Sequence, residues 1–322
     1  MSCSAAGKTQ LALQLSLLVQ LPESEGGLSG SVCYLTTRRT LPTERLLQIA
    51  HTHPSLSSSL PGKSCLTNIY TRATPDSQQL LYVLSTGIHT LIDDLKTRDQ
   101  PPLRLLVIDT LAEIFHDASR TSTQSLVQRA QTLNLAGSAL HVLAHTHAVC
   151  VLVLNEVSDV FTDYATGEPG ELIYRDHARW FSRADSTIPG VDRKEAALGL
   201  AWANQPNARI MLSRTERRRY LDLPSSPVTK RRRLDDTSYE EGVVQVDGPS
   251  LIRRLSVIFN TVGPTAGIDY IVTAAGVSAL PPDTDEPTDL DARSEVYSDF
   301  DGMEDQDLIL SLIHISEPTR PY

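Results

Sequence analysis

The sequence predicts an α/β fold in which a mostly parallel sheet is flanked by helices. Two observations support this prediction: short, continuous apolar runs recur along the chain, and helical segments separate them. A strand that is apolar throughout is buried on both faces, which is typical of parallel sheets covered by helices. Hydrophobic residues make up 40% of the chain and charged residues 21%, as in ordinary globular proteins. No uncharged apolar stretch is long enough to predict a membrane-spanning helix.

The predicted elements follow one another in a regular order. Helices are expected over 9–19, 40–50, 78–97 and 122–147, and strands over 32–36, 103–110, 149–155, 253–263 and 267–277. Pro42 falls in the first turn of the second helix, where its missing N–H costs nothing. Residues 1–276 are therefore expected to form one core, which carries a long loop over 157–196 and a charged insert over 216–248.

The formal net charge of −10 is concentrated near the C-terminus. Between Asp283 and Asp307 there are eleven acidic residues and one basic residue, Arg293, so the rest of the chain is neutral overall and can still bind nucleic acid. Pro, Asp, Glu and Ser dominate 277–309 and predict an acidic disordered tail, which we expect to compete with DNA for basic surfaces. Residues 310–322 (LSLIHISEPTRPY) resemble a translated sequencing adapter and are expected to be a non-native tail.

Neither the cysteines nor the histidines predict a metal site. The four cysteines lie far apart without a CxxC pair, which argues against zinc and disulfides and fits a reducing compartment. His141 and His145 share a helix face, with His147 close behind, but no acid or cysteine lies near them in the sequence. We therefore expect ordinary surface or core histidines.

The segment SCSAAGKTQ (2–10) predicts a phosphate-binding loop. In the pattern GxxxxGK[ST], backbone N–H groups wrap the phosphates, the lysine reaches the β- and γ-phosphates, and the hydroxyl binds Mg²⁺. Ser2 replaces the first glycine, but a predicted helix follows directly and turns its positive end towards the anion. The predicted ATP-binding residues are Ser4, Ala5, Ala6, Gly7, Lys8, Thr9 and Gln10. Because the chain begins only a few residues before this loop, we expect the strand that precedes the loop to lie upstream.

Asp109 ends the apolar run LRLLVIDT, well after the phosphate loop in sequence. A carboxylate at the end of a buried strand is suited to holding Mg²⁺ through water beside such a loop. Aspartate at a strand end is also a common turn starter, and the presence of Lys8 favours the magnesium role. Thr9 and Asp109 are therefore the predicted Mg²⁺ ligands.

Taken together, these stretches resemble the RecA-like recombinases, specifically the eukaryotic paralogues of the X-ray-repair cross-complementing type and their fungal counterparts. The matching stretches are SAAGKTQLALQLSLLVQLP, CYLTTRRTLPTERLLQIA, LLVIDTLAEIFH, VLVLNEV, ALGLAWANQPNARIMLSRT and RLSVIFNTVG with DYIVTAAGV. They cover most of residues 1–276. The resemblance implies a RecA-type P-loop NTPase core that binds ATP and Mg²⁺. It also implies a nuclear DNA-repair protein that pairs with a sister paralogue and helps the main recombinase on single-stranded DNA.

Two positions depart from the family pattern. The family usually has a water-activating glutamate after the strand that precedes the LPTERL-like helix, and the matching residue here is Arg38, a cation without a basic lone pair. The position that often holds a phosphate-sensing glutamine is Glu156, whose carboxylate would repel a γ-phosphate. We therefore expect ATP binding with weak or absent hydrolysis, at most that of a weak DNA-dependent ATPase.

The loop over 157–196 takes the place of the family's DNA-contacting loop. In YRDHARWFSR, the cations Arg175, Arg179 and Arg183 interleave with aromatic residues that include Trp180. Cations that meet phosphates and rings that stack on bases, at about 1–3 kcal/mol per base, are typical of single-strand binding. The same cluster fits equally well a helix that packs Trp180 into the core or against a partner paralogue.

Basic residues in the charged insert predict a nuclear import signal. The run consists of Lys230, Arg231, Arg232 and Arg233, flanked by proline and acids, and the alternative is a solvated loop. Residues 217–219, which are all arginine, are a further candidate phosphate-binding patch.

Two other classes of function stay open at this point. The first is an active P-loop ATPase such as a helicase or a kinase, which would need a replacement for the missing glutamate. The second is a purely structural partner of another paralogue, which neither hydrolyses ATP nor contacts DNA.

Overall fold

The structure is a computed structural model, and its described residues form one large sheet covered by helices. It describes residues 6–59, 62–115, 123–155, 157–160, 193–196, 198–219, 249–264, 266–281 and 306–313. The helices are α1 (Lys8–Leu18), α2 (Thr43–Thr52), α3 (Leu56–Ser59), α4 (Ser77–Tyr82), α5 (Ile88–Thr97), α6 (Leu111–Ile114), α7 (Thr123–His147) and α8 (Leu200–Ala203). The strands are β1 (Ser31–Thr36), β2 (Ile69–Ala73), β3 (Leu103–Asp109), β4 (Cys150–Leu154), β5 (Val157–Val160), β6 (Arg193–Ala196), β7 (Ala208–Arg219), β8 (Ser250–Asn260), β9 (Gly267–Thr273), β10 (Gly276–Ala279) and β11 (Gln306–Ile313).

The main sheet has nine strands in the order β10-β9-β8-β7-β11-β4-β3-β1-β2. Strands β2, β1, β3 and β4 pair in parallel, which confirms the α/β prediction for this half of the sheet. The other half, from β11 to β10, is antiparallel, and within it β9 and β10 are joined by a short turn. The sheet is thus parallel over four strands only, less than the sequence predicts.

Burial on both faces explains the apolar composition of the parallel strands. In β1, Val32 and Tyr34 pack in one core cluster together with α1 and α2. Cys33 and Leu35, which alternate with them, pack in a second cluster with α5 and α7 on the other face. Successive side chains of a strand point to opposite faces, so only a strand that is apolar throughout suits this position.

Most predicted elements are confirmed, two are divided into shorter elements, and one strand was not predicted. The segment predicted over 78–97 is α4 and α5 joined by a π-helical turn, Val83–Gly87. The segment predicted over 267–277 is two strands, β9 and β10, that pair antiparallel. The edge strand β2 was not predicted, because its residues IYTRA are only partly buried and lack an apolar run.

Strands also occur where the sequence predicts a loop or a tail. The prediction of a disordered tail is wrong for 277–279, which complete the β9–β10 hairpin, and for 306–309, the first half of β11. β11 is largely apolar (QDLILSLI), lies between β4 and β7 and pairs antiparallel with both, and its second half falls in the expected non-native tail. β5 and β6 pair at the two ends of the predicted 157–196 loop. The rest of that loop, of the charged insert and of both tails lies outside the described residues.

Within the described part of the chain, none of the helices combines the length and apolar character that crossing a membrane requires.

Candidate nucleotide site

The phosphate loop turns into α1 at a glycine. Gly7 has φ 95° and ψ 15°, a left-handed conformation that side-chain-bearing residues rarely adopt. A Cβ atom at this position would also lie 3.2 Å from Val272 Cγ2, a tight contact. Lys8 is the first residue of α1, so the positive end of the helix faces the loop as predicted. Ser4 and Ala5 lie outside the described residues.

A tyrosine of β9 anchors the loop to the sheet. The hydroxyl of Tyr270 donates a hydrogen bond to the carbonyl oxygen of Ala6, with an O···O distance of 2.5 Å. Both residues are buried, and burial raises the pKa of Tyr270, so its hydroxyl stays a donor. The loop backbone therefore depends on a side chain 264 residues away in sequence.

The structure brings the two predicted magnesium ligands together. The Thr9 hydroxyl donates to Asp109 Oδ2 at 3.2 Å, although the residues are 100 positions apart. Tyr34 donates to the same oxygen at 2.8 Å, and Thr110 donates to Oδ1 at 3.1 Å. Burial, and then the Asp109 carboxylate, raises the pKa of Tyr34, which keeps its hydroxyl protonated. Three hydroxyl groups thus hold the Asp109 carboxylate in one orientation.

These residues fit a magnesium ion. Mg²⁺ prefers oxygen ligands, and phosphate-loop proteins hold it with the loop hydroxyl and a strand-end aspartate. Thr9 and Asp109 are the residues that would supply these two groups. Elsewhere among the described residues, His, Cys, Asp and Glu side chains form no group of three or more that could hold a metal ion.

An open cleft of about 530 Å³ lies beside the loop, between α1, α2 and the β9–β10 turn. Gly7, Gln10, Arg45 and Thr273 are among the residues that line it. The guanidinium of Arg45 bridges its walls, since Nε donates to Gln10 Oε1 at 2.6 Å and Nη2 to the Thr273 carbonyl at 2.6 Å. The volume falls within the range of small-molecule sites.

Arg38 forms an ion pair where the family usually has its glutamate. Its Nε lies 2.9 Å from Glu113 Oε2, and Glu113 belongs to α6, which follows Asp109. The guanidinium is a cation that cannot accept a proton, and it also compensates the charge of this nearby carboxylate. Position 38 therefore carries no carboxylate, and the carboxylate at position 113 is in an ion pair with Arg38.

Several predicted residues lie outside the described part of the chain, and their roles stay predictions. They are Glu156, the loop residues Arg175, Arg179, Trp180 and Arg183, and the basic run Lys230, Arg231, Arg232 and Arg233.

Three residues that support the site are not predicted by the sequence pattern. Tyr34 and Tyr270 act through their hydroxyl groups, and Arg45 acts by joining α2 to the hairpin. A signal for the tyrosines was available, because a tyrosine in a buried strand needs a hydrogen-bond partner. Nothing in the local sequence shows that Arg45 reaches Thr273, because that contact spans 228 residues.

The helix-covered sheet, the phosphate loop and the strand-end aspartate define a RecA-type P-loop nucleotide-binding core. A family model described as Rad51 matches residues 3–168, just over half of the chain, and the chain belongs to this family.

Curated relatives agree with this assignment. The chain is 29% identical over 288 residues to "DNA repair protein XRCC3 homolog" of Arabidopsis thaliana, covering 86% of this chain and 84% of that protein. It is 28% identical over 284 residues to mouse "DNA repair protein XRCC3", covering 87% and 68% of the two chains. It is 29% identical over 223 residues to "DNA repair protein rhp57" of Schizosaccharomyces pombe, covering 65% and 60%.

Proposed function

We propose that this chain is an ATP-binding recombinase paralogue that assists homologous recombination in DNA repair. The observation that carries the proposal is the 3.2 Å contact between Thr9 and Asp109 next to the start of α1. A loop hydroxyl and a strand-end carboxylate in this arrangement would hold Mg²⁺ against the phosphates of ATP. The curated relatives, which are named as DNA repair proteins, support the biological role.

ATP would be hydrolysed weakly or not at all. The Arg38–Glu113 ion pair supports this part of the proposal, because it holds a guanidinium, which has no basic lone pair, where the family usually has its water-activating glutamate. ATP would then act by stabilising an interface with a sister paralogue rather than by turnover.

The partners in this proposal are a sister paralogue, the main recombinase and single-stranded DNA, and the location is the nucleus. The relatives' names support DNA repair, and the predicted roles of Trp180 with its arginines and of the Lys230–Arg233 run depend on the sequence alone.

The experiment measures ATP binding and ATP turnover by the purified chain and by Lys8→Ala, Arg38→Glu and Arg38→Gln. We expect Lys8→Ala to lose binding, because it removes the cation that reaches the β- and γ-phosphates. We expect Arg38→Glu to gain turnover. Arg38→Gln breaks the ion pair with Glu113 without adding a base, so it is the matched control and should gain little.

Other results would favour the other classes. Brisk hydrolysis by the unmodified chain would contradict the role of Arg38 and favour an active P-loop ATPase. Absence of ATP binding in both the unmodified chain and Lys8→Ala would contradict the proposed site and leave the structural partner.

A further inference from the structure

Six arginines lie in the paired strands β7 and β8, and we call them the arginine cluster: Arg214, Arg217, Arg218, Arg219, Arg253 and Arg254. Successive residues of a strand point to opposite faces, so the cluster is divided between the two faces of the sheet. Arg214 and Arg253 are directly opposite each other in the ladder. Like charges placed directly opposite repel each other. Burial lowers the pKa of Arg253 most, the charge of Tyr270 raises it, and the charge of Arg214 lowers it by a smaller amount. The cluster therefore carries a concentrated positive charge.

An acidic residue of the neighbouring strand compensates part of this charge. Asp269 of β9 accepts a bond from Arg217 Nη2 at 2.6 Å. The side chains of Arg214, Arg218 and Arg254 are exposed. An exposed surface of this charge density attracts a polyanion.

The residues that flank the chain's own acidic segment lie in one row of paired residues that runs across the strands of the sheet. The ladder pairs Ala279 with Tyr270, Tyr270 with Arg253, Arg253 with Arg214, and Arg214 with Gln306. The chain leaves this row just after β10, where the Leu280 N–H donates to the Asp269 carbonyl at 2.8 Å, and returns to it at Gln306. Residues 282–305 therefore connect the two ends of a row whose middle contains two cluster arginines.

The distances permit this segment to reach the cluster easily. Neighbouring strands lie about 4.8 Å apart, so the four spacings from β10 to β11 amount to about 19 Å. A chain the length of residues 282–305 can span up to about 80 Å when extended. Attachment so close to its target gives a segment an effective concentration on the order of millimolar.

The charges are complementary as well. Residues 283–305 contain ten acidic residues and one basic residue, Arg293. We propose that the arginine cluster is a docking surface for this segment of the same chain. The contact would compete with nucleic-acid phosphates for the same arginines. Arg253 also lines the cleft beside the phosphate loop, so the test below uses cluster arginines that do not line that cleft.

The direct test measures binding of a fluorescent peptide of residues 283–305 to the full chain. In this full chain, the ten acidic residues of 283–305 are changed to Asn or Gln, so that its own segment does not compete. We expect the peptide to bind at low ionic strength and to be released by salt, since exposed charges are screened. We expect the triple variant Arg214→Gln, Arg218→Gln, Arg254→Gln to weaken binding about tenfold. The single variant Arg218→Gln should weaken it by a smaller factor, and it keeps the test decisive if the triple variant folds poorly.

The matched control is the triple variant Arg39→Gln, Arg72→Gln, Arg98→Gln, which removes the same charge from exposed positions outside the cluster. It should leave peptide affinity nearly unchanged. Equal weakening by both triple variants, or no peptide binding at all, would overturn the proposal.

A second measurement distinguishes whether the acidic segment or nucleic acid occupies the arginine cluster. In the otherwise unmodified chain, neutralising the ten acids should tighten oligothymidine binding at low salt, and this gain should disappear in the cluster variant. If the cluster variant weakens oligothymidine binding but neutralising the acids changes nothing, the surface serves nucleic acid alone and the proposal is wrong.

Discussion

At the residue scale, hydrogen bonds from single hydroxyl groups fix the positions of the groups that form the candidate nucleotide site. Three of them fix the Asp109 carboxylate, and a fourth, from Tyr270, fixes the carbonyl oxygen of Ala6. The first helical residue follows Gly7, whose left-handed backbone leaves little freedom in where the loop can turn. The site is therefore built by buried and half-buried polar groups that are hydrogen-bonded to one another, as in a preorganised polar cluster.

We expect Tyr270→Phe to weaken ATP binding several-fold, because the buried Ala6 carbonyl loses its donor. Leaving a buried acceptor without a partner costs about 1–3 kcal/mol, so the melting temperature should also fall. Calorimetric titration with ATP and thermal unfolding measure the two effects. Tyr82→Phe is the control, because Tyr82 is 59% exposed, and equal effects of both substitutions would contradict the anchoring role.

At the scale of elements, α5 and α7 meet at a pair of histidines. His147 Nε2, in the last residue of α7, lies 3.2 Å from His89 Nδ1 of α5, and the rings are edge to face. Burial lowers the pKa of His147, the charges of His89 and Lys96 lower it further, and Asp93 opposes them. A histidine whose pKa in the folded chain lies below 6.5 takes up a proton less readily in the folded chain than in the unfolded chain as the pH falls. The lowered pKa of His147 therefore favours the fold above about pH 6.5, and this contribution is lost as the pH drops towards the lowered pKa.

We expect His147→Gln to reduce the acid sensitivity of the chain. Its melting temperature should fall less than that of the unmodified chain between about pH 7.5 and about pH 5.5. His145→Gln is the control, because His145 is exposed in the same helical turn. A steeper loss of stability in His147→Gln would show that the sign of this coupling is wrong.

At the scale of the whole molecule, the sheet connects the site to both halves of the chain. Thr9 of α1 meets Asp109 of β3, and Ala6 meets Tyr270 of β9, so the loop touches strands from both halves. A ligand that binds here must therefore be coupled to global unfolding. The same sheet brings the ends of the acidic segment into one row with the arginine cluster.

We expect Mg²⁺–ATP to raise the melting temperature of the whole chain in one transition. At a ligand concentration of about 100 times the Kd, the stabilisation is about 2.7 kcal/mol. Chelation of Mg²⁺ should remove most of it, and Asp109→Asn should reduce it, because each weakens metal-assisted phosphate binding. An equal shift in Lys8→Ala would show that the stabilisation comes from another site.

Local sequence was enough to predict the phosphate loop, the long helices and the parallel strands. GKT before an apolar helix and an aspartate at the end of an apolar run are short-range patterns with a direct physical meaning. The residues that complete the site were not predictable in this way. Tyr34, Tyr270 and Arg45 act through partners that are at least 35 residues away in sequence.

The amino-acid sequence by itself determined the class of this protein, because periodicity and motif spacing record which residues must be buried and which must meet phosphate. Only the tertiary structure decided which distant groups converge: the hydroxyls on Asp109, the pairing of Arg38 with Glu113, and the strand order that places the arginine cluster between the two ends of the acidic segment. The physical reason is that strand order and ladder register come from packing across the whole sheet, and no window of local sequence contains that information.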